Sequence, residues 1–245
     1  MPNSPRSQWH RNGLYGRDRT AWTLFSPETF ARQMFGNFSH FVGPEEYQST
    51  TAMNGFTVTA DGAGTIVLLD RVGGWLQLLA GVVEGQGVNL QQAHETFLPA
   101  ADRDIHFGCR IELDDATESQ WFAGLAITDT DVDVGTIPAD IVGYWSHDGD
   151  LNLDFQAQST ASGVIAAVDT GQDLADNTAI ELGFTIHGIT DIHTWINGRE
   201  DTTAYVNTVA NIPITEMAMV FSHRTGEGVT NSMKIDWYNI VQCYV

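Results

Sequence analysis

The stretch Ile180–Val206, I-E-L-G-F-T-I-H-G-I-T-D-I-H-T-W-I-N-G-R-E-D-T-T-A-Y-V, decides the fold. Core-facing side chains recur at every second residue, at Ile180, Leu182, Phe184 and Ile186 and again at Ile192, Thr194 and Ile196. Period two is the mark of a strand with one buried face, whereas a helix repeats at about 3.6 residues. Asn197-Gly198 supplies the left-handed backbone that a two-residue hairpin requires. The stretch reads as three consecutive antiparallel strands, and the chain as an all-β antiparallel β-sandwich.

The same alternation extends in both directions. D-I-H-F-G-C-R-I-E-L (104–113) turns Phe107, Cys109, Ile111 and Leu113 inward and His106, Arg110 and Glu112 outward. W-F-A-G-L-A-I-T (121–128) and D-I-V-G-Y-W-S (140–146) follow, and the turn His147-Asp148-Gly149 leads into L-N-L-D-F-Q (151–156) as a second hairpin. With the short patterns from Asn54 onward and the closing S-M-K-I-D-W-Y-N-I-V, about thirteen strands are predicted by alternation and turn spacing. That spacing is typical of sandwiches and jelly rolls.

Composition narrows the partners. Lysine and arginine total 11 against 31 aspartate and glutamate, a formal charge of -20, which excludes a nucleic-acid groove and an anionic membrane surface as expected partners. No window is long and uncharged enough to span a bilayer, and the start M-P-N-S-P-R lacks the apolar run of a secretory signal, so a soluble, cytosolically made protein is expected. Cys109 and Cys243 both fall on strand-like segments and are expected to be buried, reduced thiols.

Residues 1–50 differ in kind from the jelly-roll region at 51–245. They hold nine aromatic residues and, within residues 1–25, Arg6, Arg11, Arg17 and Arg19 against Asp18 alone. Ser26-Pro27-Glu28 reads as a helix start and Gly36 as its stop, giving an arm with a short helix. Arginine and aromatic anchors are enriched at interfaces, so Arg11, Tyr15, Arg17, Trp22, Phe25 and Phe30 are candidate partner-binding residues.

F-G-C-R-I-E-L, W-F-A-G-L-A-I-T with its acidic loop, I-V-G-Y-W-S before a D-G-D turn, A-I-E-L-G-F-T-I leading to H-T-W-I-N-G, and the final S-M-K-I-D-W-Y-N-I-V come in a telling order. It resembles the concanavalin A-like lectin/glucanase jelly roll in the version found in tailed-phage virion proteins. The resemblance implies a non-enzymatic capsid decoration or head-attached protein, anchored by its arm to the major capsid protein or another virion subunit. It would be a homo-oligomer on the capsid surface, assembled in the host cytoplasm. The alternative it implies is a carbohydrate-binding attachment module or, less favoured, a glycoside hydrolase of the same fold.

Candidate chemistry is sparse. A glycosidase of this fold needs carboxylates at alternate positions of one strand. Glu112-Leu113-Asp114-Asp115-Ala116-Thr117-Glu118 approaches this but has Ala116 where the second glutamate belongs, while Asp154 and Asp236 are lone strand carboxylates. Asp129, Asp131 and Asp133 form D-x-D-x-D-x-G, whose hard oxygen ligands suit calcium. Val134 replaces the sharp-turn glycine there and Asp140 the twelfth-position glutamate, so a solvated acidic loop is preferred and no other cofactor is implied. His187, Asp191 and His193 can meet across a short turn, but a zinc site needs three or four converging ligands and a supporting shell, so surface histidines are preferred. For a glycan, Trp145 with His147, Asp148 and Asn152 is the best local set of ring plus polar acceptors.

Overall fold

The computed structural model describes residues 34–39, 47–71, 74–130, 132, 137–163 and 166–244. Its strands, in chain order, are β1 (Met34–Ser39), β2 (Tyr47–Ser49), β3 (Ala52–Met53), β4 (Phe56–Asp61), β5 (Thr65–Leu69), β6 (Trp75–Leu79), β7 (Gly87–Gln92), β8 (Arg103–Leu113) and β9 (Ser119–Ala126). They continue with β10 (Ile141–Ser146), β11 (Asn152–Gln158), β12 (Val168–Asp173), β13 (Ile180–His187), β14 (Asp191–Ile196), β15 (Arg199–Val206), β16 (Ala218–Thr225) and β17 (Ser232–Tyr244). The first sheet runs β15-β14-β13-β8-β17-β6-β5, with β1 also on β17, and the second runs β12-β11-β10-β9-β16-β7-β4-β3-β2. Every pairing is antiparallel, which makes the fold the sandwich that the alternation predicts.

The organising stretch forms β13, β14 and β15, with Asn197 at φ 50° and Gly198 at φ 75° making the tight turn. Ile180, Leu182, Phe184, Ile186, Ile192 and Thr194 are all buried. On β17 the alternation breaks at Asp236-Trp237. A bulge there lets Met233 and Ile235 before it, and Tyr238 and Ile240 after it, face the same core.

The helix expected over Ser26–Gly36 does not end as predicted. Residues up to 33 lie outside the described residues, but Met34, Phe35 and Gly36 pair with Cys243, Gln242 and Val241 in β1. β6 satisfies only Ser232–Ile235 of the same edge of β17, so the rest of that edge offers a row of unmade backbone hydrogen bonds. Two turns of helix carry a nucleation cost that such a row outweighs. Strand pairing thus reaches back into the first 50 residues, with β1 in one sheet and β2 in the other.

The core lies between the sheets. Phe107 stacks on Phe184 at 4.9 Å, Phe155 meets Phe184 edge-on at 5.7 Å, and Tyr144 meets Phe155 at 5.1 Å. Tyr144 crosses from the second sheet to the first. Its hydroxyl donates to the Gly183 carbonyl at 2.9 Å, with the Trp195 carbonyl also in reach at 3.0 Å. Cys109 is fully buried opposite Tyr238, whereas Cys243 lies opposite Asp104. Five residues separate these positions along β17, about 17 Å at 3.4 Å per residue, and both thiols are free. His223 is wholly buried at one end of the core. The Ser119 hydroxyl gives its proton to the Asp115 carbonyl, so at 3.3 Å from Ser119 Oγ it is His223 Nε2 that donates. Burial lowers this imidazole to about 3, against a weaker upward pull from Asp114.

Two outcomes follow from these buried polar groups. Tyr144→Phe removes the bond between the sheets and is expected to cost about 1 kcal/mol, read as a lower denaturant midpoint at unchanged slope; an unchanged midpoint would show that the bond contributes nothing. For His223, the folded value lies below the unfolded 6.5, so stability is whole above pH 6.5 and falls as pH drops toward 3, because only the unfolded chain takes the proton. Between pH 6.5 and 5 the loss is about 2 kcal/mol, and His223→Leu should flatten the pH dependence of the urea midpoint by that amount.

Candidate functional site

Polar side chains line the outer face of the second sheet because the residues between them fill the core. On β11, Leu153 and Phe155 point inward, which sends Asn152, Asp154 and Gln156 outward; on β7, Leu90 points inward and leaves Asn89 and Gln91 outside. At the middle of the face Gly124 lies opposite Gly143. A Cβ on either would sit 2.9 or 2.7 Å from the edge of the Phe122 ring, so glycine is needed there for the ring to lie flat.

The described residues 127–130, 132 and 137–140 form a strap across this face. Gln91 Nε2 donates to the Ile127 carbonyl at 3.0 Å and Gln91 Oε1 accepts from the Asp129 amide at 2.9 Å, while Asn89 Nδ2 donates to the Asp129 carbonyl at 3.1 Å. Gln158 Nε2 reaches the Pro138 carbonyl at 3.3 Å, and Val132 is buried among Phe122, Ile141, Trp145 and Val220. Of the predicted calcium ligands, Asp131 and Asp133 lie outside the described residues. Asp129 is held by its backbone, and Asp140 caps the next turn by accepting from the Thr160 amide and hydroxyl at 2.9 and 2.8 Å.

Beyond the strap the rim is open. Trp145, predicted as a sugar platform, is only 2% exposed, wedged edge-on between Phe122 at 6.1 Å and His147 at 5.0 Å. Its register on a sheet face covered by the strap buries the ring, so it is not the platform. His147 and Asp148 are exposed, and Asn152 is half-buried and tied to Asp150 at 3.0 Å through its amide. What the register adds is Asp169 of β12, directly opposite Asp154 of β11. Burial raises the Asp154 carboxyl, and the charges of Asp169 and Asp150 raise it further, with His147 opposing. Among the described residues no lysine or arginine pairs with either carboxylate. The outward alternation of L-N-L-D-F-Q marks Asp154, but V-D-T-G-Q-D lacks alternation, so Asp169 carries no strand signal of its own.

The outer face of the first sheet is neutralised instead. Glu112 accepts from Lys234 at 2.8 Å and from Arg71 at 3.1 Å, and Lys234 also meets Asp114. Burial pulls the Glu112 carboxyl up, but these hydrogen bonds outweigh it and hold the group below its usual range. Arg110 pairs with Asp236 at 2.5 Å and lies, like Arg71, over the Trp75 ring. The nearest approach to a catalytic glutamate pair is thereby committed to ion pairs on the wrong sheet for Asp154. At the β13–β14 turn, His187, Asp191 and His193 converge, with ligand atoms within 4.8 Å of one another. The hydrogen bond to Asp104 raises His187, and the same bond lowers Asp104. The predicted arm residues Arg11, Tyr15, Arg17, Trp22, Phe25 and Phe30 lie outside the described residues.

No protein-family model and no curated protein matches the chain. Solved structures do. An endo-1,3-β-glucanase from Streptomyces sioyaensis superposes with a TM-score of 0.59 at 10% identity, over 87% of this chain and 98% of that one. The Bacillus licheniformis β-glucanase gives 0.56 at 14% identity, over 84% and 97%. Peanut lectin gives 0.53 at 10% identity, over 87% and 99%. Sheet order, register and these superpositions agree: the chain has the concanavalin A-like jelly-roll fold of lectins and glucanases.

Proposed function

We propose that this protein is a carbohydrate-binding module that holds glycan hydroxyls at the rim of its second sheet. The observation that carries this reading is the unneutralised pair Asp154 and Asp169, facing one another across β11 and β12 beside Asn152, Asp150 and His147. An ionised carboxylate is acceptor-only with room for several donors, so two of them side by side suit the adjacent hydroxyls of a sugar ring. The amide of Asn152 and the ring of His147 add donors of the opposite sense. Lectins and glucanases among the structural neighbours support sugar as the ligand class.

A second reading rests on the raised Asp154. Glycoside hydrolysis uses two carboxyls whose environments push them apart, with the raised one as acid, and Asp154 is the raised member here. Capsid attachment draws on the arm alone, and no feature of the described residues favours it over sugar binding.

A glycan array probed with the full chain should show binding that Asp154→Asn and Asp169→Asn each reduce at least about tenfold, the scale of losing one charge-assisted hydrogen bond. Glu216→Gln, an exposed carboxylate elsewhere, should bind as wild type. Silence across the array removes the module reading. Release of reducing ends from a bound β-glucan, abolished by Asp154→Asn, would make the protein a hydrolase.

A further inference from the structure

We propose that His187, Asp191 and His193 form a binding site for a divalent transition-metal cation of the zinc class, on the face of the sandwich opposite the proposed glycan rim. They are the one group of three potential ligands that converges among the described residues. The hairpin places them together. His187 lies directly opposite Asp191, and His193 follows Asp191 by two residues on the same face.

Each ligand is already held by a partner that leaves one donor atom over. His187 Nδ1 lies 3.3 Å from Asp104 Oδ2, and Asp104 Oδ1 is anchored by the Gly188 amide at 3.1 Å. His193 Nδ1 lies 2.5 Å from Glu200 Oε1. A carboxylate on Nδ1 fixes the tautomer with its proton there and leaves Nε2 as a basic ligand, the arrangement in which metal-bound histidines are supported. The Thr190 hydroxyl has the His187 carbonyl at 2.8 Å and Asp191 Oδ2 at 3.1 Å in reach, while Asp191 Oδ1 is buried without a hydrogen-bond partner, 3.3 Å from His193 Nε2. A buried carboxylate oxygen with no donor calls for a cation. Tetrahedral zinc with ligand bonds of about 2.0–2.1 Å needs donors about 3.4 Å apart, which Asp191 Oδ1 and His193 Nε2 already meet. The His187 ligand atom lies within 4.8 Å of both, so binding needs only a small shift of that ring toward them. Three protein ligands leave the fourth position to water or an incoming donor.

Titration of the full chain with zinc chloride, followed by calorimetry and by melting temperature, should show one ion per chain and a rise in melting temperature. His187→Ala and His193→Ala should each weaken binding at least tenfold, Asp104→Asn, which acts through His187, about 10- to 100-fold, and exposed His94→Ala not at all. Cobalt(II) should give the visible bands of a four-coordinate site in wild type and lose them in His193→Ala. Circular dichroism separates loss of the site from loss of the fold. Wild-type affinity equal to that of the folded His187→Ala/His193→Ala double variant would overturn the proposal, whatever the glycan array shows.

Discussion

Strand register is the constraint on which everything else in this molecule depends. In a sandwich with period-two side chains, a slip of one residue exchanges the buried and exposed faces of a whole strand. The turn at Asn197-Gly198, with both residues at positive φ, sets Trp195 opposite Glu200 and so brings Glu200 diagonally beside His193. The pairing of β13 with β8 sets His187 opposite Asp104 while placing Phe184 opposite Phe107 in the core. Core packing and the histidine cluster are thus two faces of one register. Neither could shift without the other, and burial of Phe107, Phe184, Ile186 and Ile192 holds the polar groups in place.

The long bulged β17 extends this constraint through the first sheet. It touches β8 along nearly its whole length and takes β6 and β1 in succession on its other side. Between the sheets, Tyr144 ties β10 to the backbone of β13 and β14 by a hydrogen bond in a region that is otherwise apolar. Its cost if unmade is larger than its gain when made, so it acts against sliding of one sheet over the other.

Local patterns were legible in the sequence and distant pairings were not. Alternation located β8, β13 and β14 and the inward side of each, and the Asn-Gly turn was visible as such. The D-W step in S-M-K-I-D-W-Y breaks alternation where the bulge lies. M-F-G-N-F-S was misread as helix end because its strand character comes from an edge contributed some 200 residues later. The three histidine-cluster ligands are local and could be seen to meet; Asp104, which supports His187, arrives from another strand and could not. Trp145 looked like a platform because His147, Asp148 and Asn152 beside it supply polar groups, while the strap that buries it is held by Asn89 and Gln91 of β7 and Gln158 of β11, distant in the chain.

How the scarce cations are placed explains where ligands belong. The chain has 31 acidic residues and 11 lysines and arginines, with Lys234 the single lysine, so not every carboxylate can be neutralised internally. Lys234, Arg71 and Arg110 all serve Glu112, Asp114 and Asp236 on the outer face of the first sheet, where Trp75 screens the ion pairs from water and strengthens them. At Asp104, Asp191 and Glu200 the neighbouring side chain is instead a histidine. Among the described residues Asp154 and Asp169 have no lysine or arginine partner, and His147 only partly opposes the rise at Asp154. Burial, and then the facing Asp169 and Asp150, raise the cost of ionising Asp154, and a structure keeps such a group at a cost in stability. Under the two proposals, sugar hydroxyls at the rim and a metal cation at the histidine cluster would each compensate carboxylates that the chain's own cations leave over. Both proposed sites thus lie where, among the described residues, no lysine or arginine pairs with the carboxylates.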